Sequence, residues 1–91
     1  MDYTGKVVAI TGGARGIGLA MAQAFHDRGA KIALADLEGA EAAAKAFSGY
    51  GARVDVTREA DIAAFLIQTE ERLGPVDIYV SNAGILRTDE P

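Results

Sequence analysis

Between Thr11 and Gly18 the chain reads Thr-Gly-Gly-Ala-Arg-Gly-Ile-Gly, a run whose residue types suit the close approach of a phosphate to the main chain. Gly12 is free to take backbone angles that a Cβ forbids, Gly16 leaves room for a ligand against the backbone, and Gly18 lets a helix lie tight on the preceding strand. Eighteen residues beyond Gly18 stands Asp36, at the spacing where an acid accepts hydrogen bonds from a ribose. Asp36 also suits a helix-capping role ahead of Glu38 and Ala40, and the two roles are compatible. Glycine spacing alone is a weak signal in a chain with eleven glycines. Its weight here comes from its neighbours.

Those residues need a strand, a turn and a helix to hold them. Val7-Val8-Ala9-Ile10 suits a buried parallel strand over 6–10, and a helix is expected from about Gly16 to Arg28. Its N-terminus would present unpaired N–H groups and a positive dipole end to an open crevice, which is a site for a pyrophosphate. Ile17, Met21, Ala24 and Phe25 form the expected apolar stripe, and His26 is expected in solvent with Gln23 and Asp27. Gly29 should end that helix, and 31–36 reads as the second strand, delivering Asp36 at its end. A second helix over 39–47 rests on alanine and on Glu41 four residues before Lys45. Ser48 to Gly51 reads as a turn, 52–56 as the third strand, and Thr57 as the N-cap of a third helix that carries Ile62, Phe65, Leu66, Thr69 and Leu73 and stops at Gly74-Pro75. The fourth strand is expected over 76–81, with Val76, Ile78 and Val80 on one face and Asp77 and Tyr79 on the other, before the turn Asn82-Ala83-Gly84.

Four strands alternating with three helices predict an α/β fold, the N-terminal portion of a Rossmann-type doubly wound parallel sheet in strand order 3-2-1-4. The order reverses between strands one and four. The glycine turn, Asp36 and Asn82-Ala83-Gly84 then gather at the carboxyl ends of the strands.

Composition narrows the function. The 91 residues carry a net charge of −4 with acids and bases scattered singly, so neither a basic stripe for nucleic acid nor a polybasic patch for lipid is present. No cysteine excludes disulfides and thiolate chemistry, and a single histidine leaves no cluster for a metal. The acids Glu59, Asp61, Glu70 and Glu71 read as a solvated helix face. Nothing resembles a signal peptide or a membrane span, and a cytoplasmic location is the default expectation.

With these elements in place the sequence resembles the short-chain dehydrogenase/reductase family, whose glycine motif Thr-Gly-x-x-x-Gly-x-Gly matches Thr11, Gly12, Gly16 and Gly18. Asp36 resembles the acid of NAD-preferring members, Asp55-Val56 the pair that contacts adenine, and Asn82-Ala83-Gly84 the Asn-Asn-Ala-Gly turn, with Ser81 in place of its first Asn. The resemblance implies NAD as cofactor and a small alcohol or carbonyl compound as substrate. It implies no nucleic-acid or membrane partner, and a homo-oligomer when intact. The implied cofactor-binding residues are Gly12, Arg15, Gly16, Ile17, Gly18, Asp36, Leu37, Asp55, Val56, Asn82, Ala83 and Gly84. Arg15 has a second reading as a contact for a 2′-phosphate, although Asp36 would repel that group, and a third as a surface residue. Asp55 has a second reading too, as the residue that closes its strand and leads into Thr57.

The family's chemistry is done by a Ser and by a Tyr-x-x-x-Lys motif. Four residues beyond Tyr3, Tyr50 and Tyr79 stand Val7, Val54 and Ala83, so no catalytic residue is assigned. The 91 residues are therefore read as the NAD-binding portion of a longer dehydrogenase, inactive alone, whose fourth strand offers an edge for pairing. A non-catalytic nucleotide-binding module, acting alone or through a partner chain, is the alternative. An adenosyl-dependent methyltransferase also wants a glycine turn and an acid after strand two, but the three residues between Gly12 and Gly16 and the Asn82-Ala83-Gly84 turn speak against it.

Overall fold

A computed structural model describes residues 2–82. The elements run β1 (Val7–Thr11), α1 (Gly16–Asp27), β2 (Lys31–Asp36), α2 (Ala40–Lys45), β3 (Tyr50–Arg53), α3 (Glu59–Leu73) and β4 (Ile78–Ser81). The four strands form one parallel sheet in the order β3-β2-β1-β4, as the alternating pattern predicts. All five residues of β1 are buried.

The two faces of the sheet are built differently, and the strand sequences say why. On one face Val8, Ile10, Ile32 and Leu34 meet α1 and α2 through Ala22, Ala40, Ala44 and Phe47. On the other face the strands present Ala9, Ala33 and Ala35, which leaves depth for one large ring, and Phe65 of α3 fills it. Tyr50 stacks on Phe65 at 6.1 Å between centroids, and the Arg72 guanidinium lies 4.8 Å above the Tyr50 ring. Helices on both faces make the sheet doubly wound.

Several sequence expectations are corrected. Ile17 of α1 is not in the apolar stripe: it is 72% exposed, and the helix seats Gly18 and Ala22 in the core instead, with Leu19, Met21 and Phe25 half-buried and Ala24 exposed. His26 is half-buried, its ring 5.2 Å from that of Phe47. The small residues win the buried positions because the helix start lies too close to β1 for a side chain. A Cβ on Gly18 would come within 2.0 Å of the Gly12 carbonyl oxygen.

α2 is shorter than expected, and β3 begins at Tyr50 and not at Ala52. Phe47 turns into the core, and Gly49 donates its N–H to the Ala44 carbonyl at 3.0 Å. Gly49 and Gly51, which read as turn residues, are close-approach residues. A Cβ would lie 2.1 Å from the Ile32 oxygen at Gly49 and 2.3 Å from the Ala40 oxygen at Gly51. Their small size lets the chain enter the sheet early, with Tyr50 opposite Ala33 and Arg53 opposite Asp36.

Thr57 does not cap α3. The N-cap position falls on Arg58 with no side-chain cap bond, and the Thr57 hydroxyl donates to Asp55 Oδ1 at 2.6 Å. β4 is also shorter than expected, since Val76 and Asp77 precede it. Val76 packs on the α3 side while Ile78 and Val80 pack on the α1 side, so the three do not share a face. Asp77 is tied to β1 twice: its Oδ2 accepts the Val7 N–H at 2.8 Å, and its own N–H donates to the Val7 carbonyl at 2.9 Å. Among the described residues no helix is long and apolar enough to cross a membrane.

Candidate functional site

The glycine turn leaves β1 at its carboxyl end and is stitched to β2. Gly12 and Gly13 both donate N–H groups to the Ala35 carbonyl, at 2.7 and 3.2 Å. Gly12 sits at φ +69° and Gly16 at φ +59°, left-handed angles that a side chain disfavours. Gly16 has nothing within 4 Å of where a Cβ would stand. Open space over a left-handed glycine is what a ligand approaching the backbone needs. α1 then starts with no acidic residue in its first turn and no side-chain cap, so its N–H groups and dipole end remain available to an anion.

Asp36 is tied into the same turn. Its Oδ2 accepts the Ala14 N–H at 3.1 Å and its Oδ1 accepts the Leu37 N–H at 2.8 Å. One carboxylate thus fixes the distance between the end of β2 and the glycine turn, and each oxygen keeps a second lone pair for a ligand. Arg15 is exposed and has no ion pair among the described residues.

On the β4 side, Thr11 is fully buried and works in two directions. Its hydroxyl donates to the Val80 carbonyl at 3.4 Å and accepts the Asn82 N–H at 3.2 Å, while Asn82 Nδ2 donates to the Gly12 carbonyl at 3.3 Å. Beyond β3, Asp55 Oδ1 accepts both the N–H and the hydroxyl of Thr57, at 2.9 and 2.6 Å. The Thr57 hydroxyl first, and its main-chain N–H second, hold the Asp55 carboxyl below its ordinary value of 3.8.

These pieces enclose a crevice of about 470 Å³ at the carboxyl ends of the strands. Of the residues singled out in the sequence, Gly12, Arg15, Asp36, Leu37, Asp55, Val56 and Asn82 line it. Gly16 and Ile17 open α1 next to Arg15, both exposed, and Gly18 is buried beneath. Ala83 and Gly84 lie outside the described residues. Glu38, Val54 and Thr57 also line the crevice and were missed. An acid two residues before a threonine is a usable signal for the Asp55–Thr57 turn, whereas the placement of Glu38 and Val54 carries none. The three tyrosines of the described chain stand apart from it: Tyr50 is stacked on Phe65, Tyr3 packs edge-on to Phe25 at 5.1 Å, and Tyr79 is exposed on β4.

An open parallel sheet whose strand order reverses beside a glycine turn, with an acid at the end of the second strand, defines a doubly wound α/β protein with its crevice at the switch point. The chain belongs to the short-chain dehydrogenase family: the family profile described as short chain dehydrogenase matches residues 6–91. Similar proteins include L-fucose dehydrogenase of Oryctolagus cuniculus, 46% identical over 85 residues that make up 90% of this chain and 30% of that protein. Galactitol 2-dehydrogenase of Agrobacterium fabrum is 43% identical over 89 residues, covering 93% of this chain and 35% of that protein. A 2-(S)-hydroxypropyl-CoM dehydrogenase of Xanthobacter autotrophicus is 46% identical over 89 residues, covering 88% of this chain and 34% of that protein. The chain spans about a third of the length of these curated relatives.

Proposed function

We propose that residues 1–91 are the NAD-binding portion of a short-chain oxidoreductase that moves a hydride between nicotinamide and an alcohol or carbonyl compound. The observation that carries this reading is the Asp36 carboxylate, bonded to the glycine turn through Ala14 and lining the crevice. In this position it would accept both hydroxyls of an adenosine ribose and repel a 2′-phosphate. The residues present fit the cofactor, since the space over Gly16 is open and the start of α1 carries no competing acid. Gly16 and Ile17 would meet the pyrophosphate, Asp36 and Leu37 the ribose, and Asp55 and Val56 the adenine. Asn82 would border the far side.

When bound, NAD supplies the hydride acceptor or donor. The residues of this chain bind and orient it. None of Tyr3, Tyr50 and Tyr79 is followed four residues on by a lysine, so acid/base chemistry is proposed to belong to residues outside this sequence. The dehydrogenase names of the relatives support the reaction class, with a small alcohol or carbonyl as substrate. A homo-oligomer in the cytoplasm completes the proposal.

Calorimetric titration of the full chain with NAD and NADP tests it. Tighter binding of NAD is expected. Equal or tighter binding of NADP would mean that Arg15 outweighs Asp36, and binding of neither would remove the dinucleotide from this crevice.

A further inference from the structure

We propose that Asp61, an α3 residue with no place in the glycine motif, is a positioning residue for the adenine end of the crevice. The inference rests on the dinucleotide reading above. The ladder between β2 and the chain beyond β3 ends where the Val54 N–H donates to the Asp36 carbonyl at 3.0 Å. The next N–H, that of Asp55, has left the ladder and needs another acceptor. Asp61 Oδ2 accepts it at 3.0 Å, reaching back from the first turn of α3. The other oxygen, Oδ1, lies 3.7 Å from Arg58 Nε, in a pair whose arginine side is 68% exposed. Solvent screens that pair, so the part-buried hydrogen bond is the stronger of the two contacts.

This bond holds a wall of the crevice that lies off the sheet. The glycine turn is anchored separately, by Gly12 and Gly13 on the Ala35 carbonyl. The wall made by Asp55 and Val56 lies beyond the last ladder bond; the Thr57 bonds to Asp55 Oδ1 are internal to it, while Val56 packs on the Phe65 cluster and the Arg58 N–H reaches the Asp55 carbonyl at 2.9 Å. Two bonds tie the Asp55 main chain to α3: its carbonyl accepts from Arg58, the N-cap residue at the end of the helix, and its N–H donates to Asp61 within the first turn. Removing the Asp61 acceptor leaves a part-buried N–H unpaired and loosens the wall at Asp55, between the last ladder bond and the Arg58 cap. The glycine turn and the start of α1 stay where they are. Affinity is then lost for the adenosine half of a dinucleotide and kept for the nicotinamide half.

The test is calorimetric titration of the full chain with NAD, ADP-ribose and nicotinamide mononucleotide. Asp61→Ala is expected to weaken ADP-ribose and NAD about tenfold, the size of one lost charge-assisted hydrogen bond, and to leave nicotinamide mononucleotide within about twofold. Asp61→Asn keeps a side-chain oxygen as acceptor and is expected to restore ADP-ribose binding to within about threefold. Arg58→Gln removes the ion pair alone and is expected to change nothing beyond about twofold. Wild-type affinity of Asp61→Ala for ADP-ribose overturns the inference alone. A parallel loss for both halves overturns it as well, because it marks a general folding defect. A loss in Arg58→Gln equal to that in Asp61→Ala does so too, because the ion pair would then be the operative contact. If the wild-type chain binds neither NAD nor ADP-ribose, the dinucleotide reading fails first.

Discussion

Replacing Gly18 by Ala sets two calculable effects against each other. Gly18 is the third residue of α1, where alanine should stabilise the helix by about 1 kcal/mol over glycine. Against this, the new Cβ would stand 2.0 Å from the Gly12 oxygen, 2.8 Å from the Gly12 carbonyl carbon and 3.0 Å from Asn82 Nδ2. Heavy atoms rest at roughly 3.5 Å, so the turn and the helix start must part by about 1.5 Å. Backbone atoms on both sides cannot swing aside as a flexible side chain would. The Gly12 carbonyl also accepts from Asn82, so the displacement reaches β4. Overpacking of this kind costs up to about 3 kcal/mol, and the clash outweighs the propensity gain by about 2 kcal/mol. Urea unfolding of wild type and Gly18→Ala, followed by circular dichroism, measures the difference. A variant as stable as wild type, or more stable, would refute the close packing of α1 on the turn.

Gly16→Val should behave differently, because no atom stands within 4 Å of its Cβ and the cost is the left-handed backbone alone, about 1–2 kcal/mol. Helix content should survive while NAD binding is lost, and unchanged affinity by calorimetry would remove the pyrophosphate from this turn. Thr57→Val deletes the leading cause of the lowered Asp55 pKa, and the carboxyl should titrate closer to 3.8 by carbon-detected NMR. Because the native pKa lies below the unfolded one, the contact's contribution to stability is full above pH 3.8 and is lost as pH falls through the native value. The gap in stability between variant and wild type should therefore close on acidification. A gap that persists or widens would contradict the assignment.

The strand order was legible because two periodicities alternate without interruption, and the crossover rule leaves few ways to arrange them. Seven of the named crevice residues line one cavity for a related reason: Arg15 caps the helix that follows β1, the other six stand at or just past strand ends, and strand ends meet at one edge of a parallel sheet. What the sequence concealed was contact between distant backbones. Gly49 and Gly51 look like turn glycines until Ile32 and Ala40 are placed against them. Ile17 fits a helical stripe on spacing alone, and its exposure follows from how closely Gly18 sits on Gly12. Asp61 reads as part of a solvated helix face and Asp77 as one residue of a strand face, because a carboxylate bonded to one remote N–H leaves no mark on local spacing.

The central place of β1 also has a consequence for synthesis. β2 joins β1 from 24 residues downstream and β3 joins β2 from 17, but β4 joins β1 from 70. Closing the longer loop costs about 1 kcal/mol more in chain entropy than closing the 24-residue one. A nascent chain completes β3 at Arg53 and reaches Ser81 at the end of β4 only 28 residues later. At roughly 5–20 residues per second that delay is on the order of seconds, far longer than a loop of this size takes to close. For that interval the β1 edge is a bare row of N–H and C=O groups on the most apolar strand of the molecule. Neighbouring chains on one message pass through the same state with the same edge bare, and the β1 edge is where they would join.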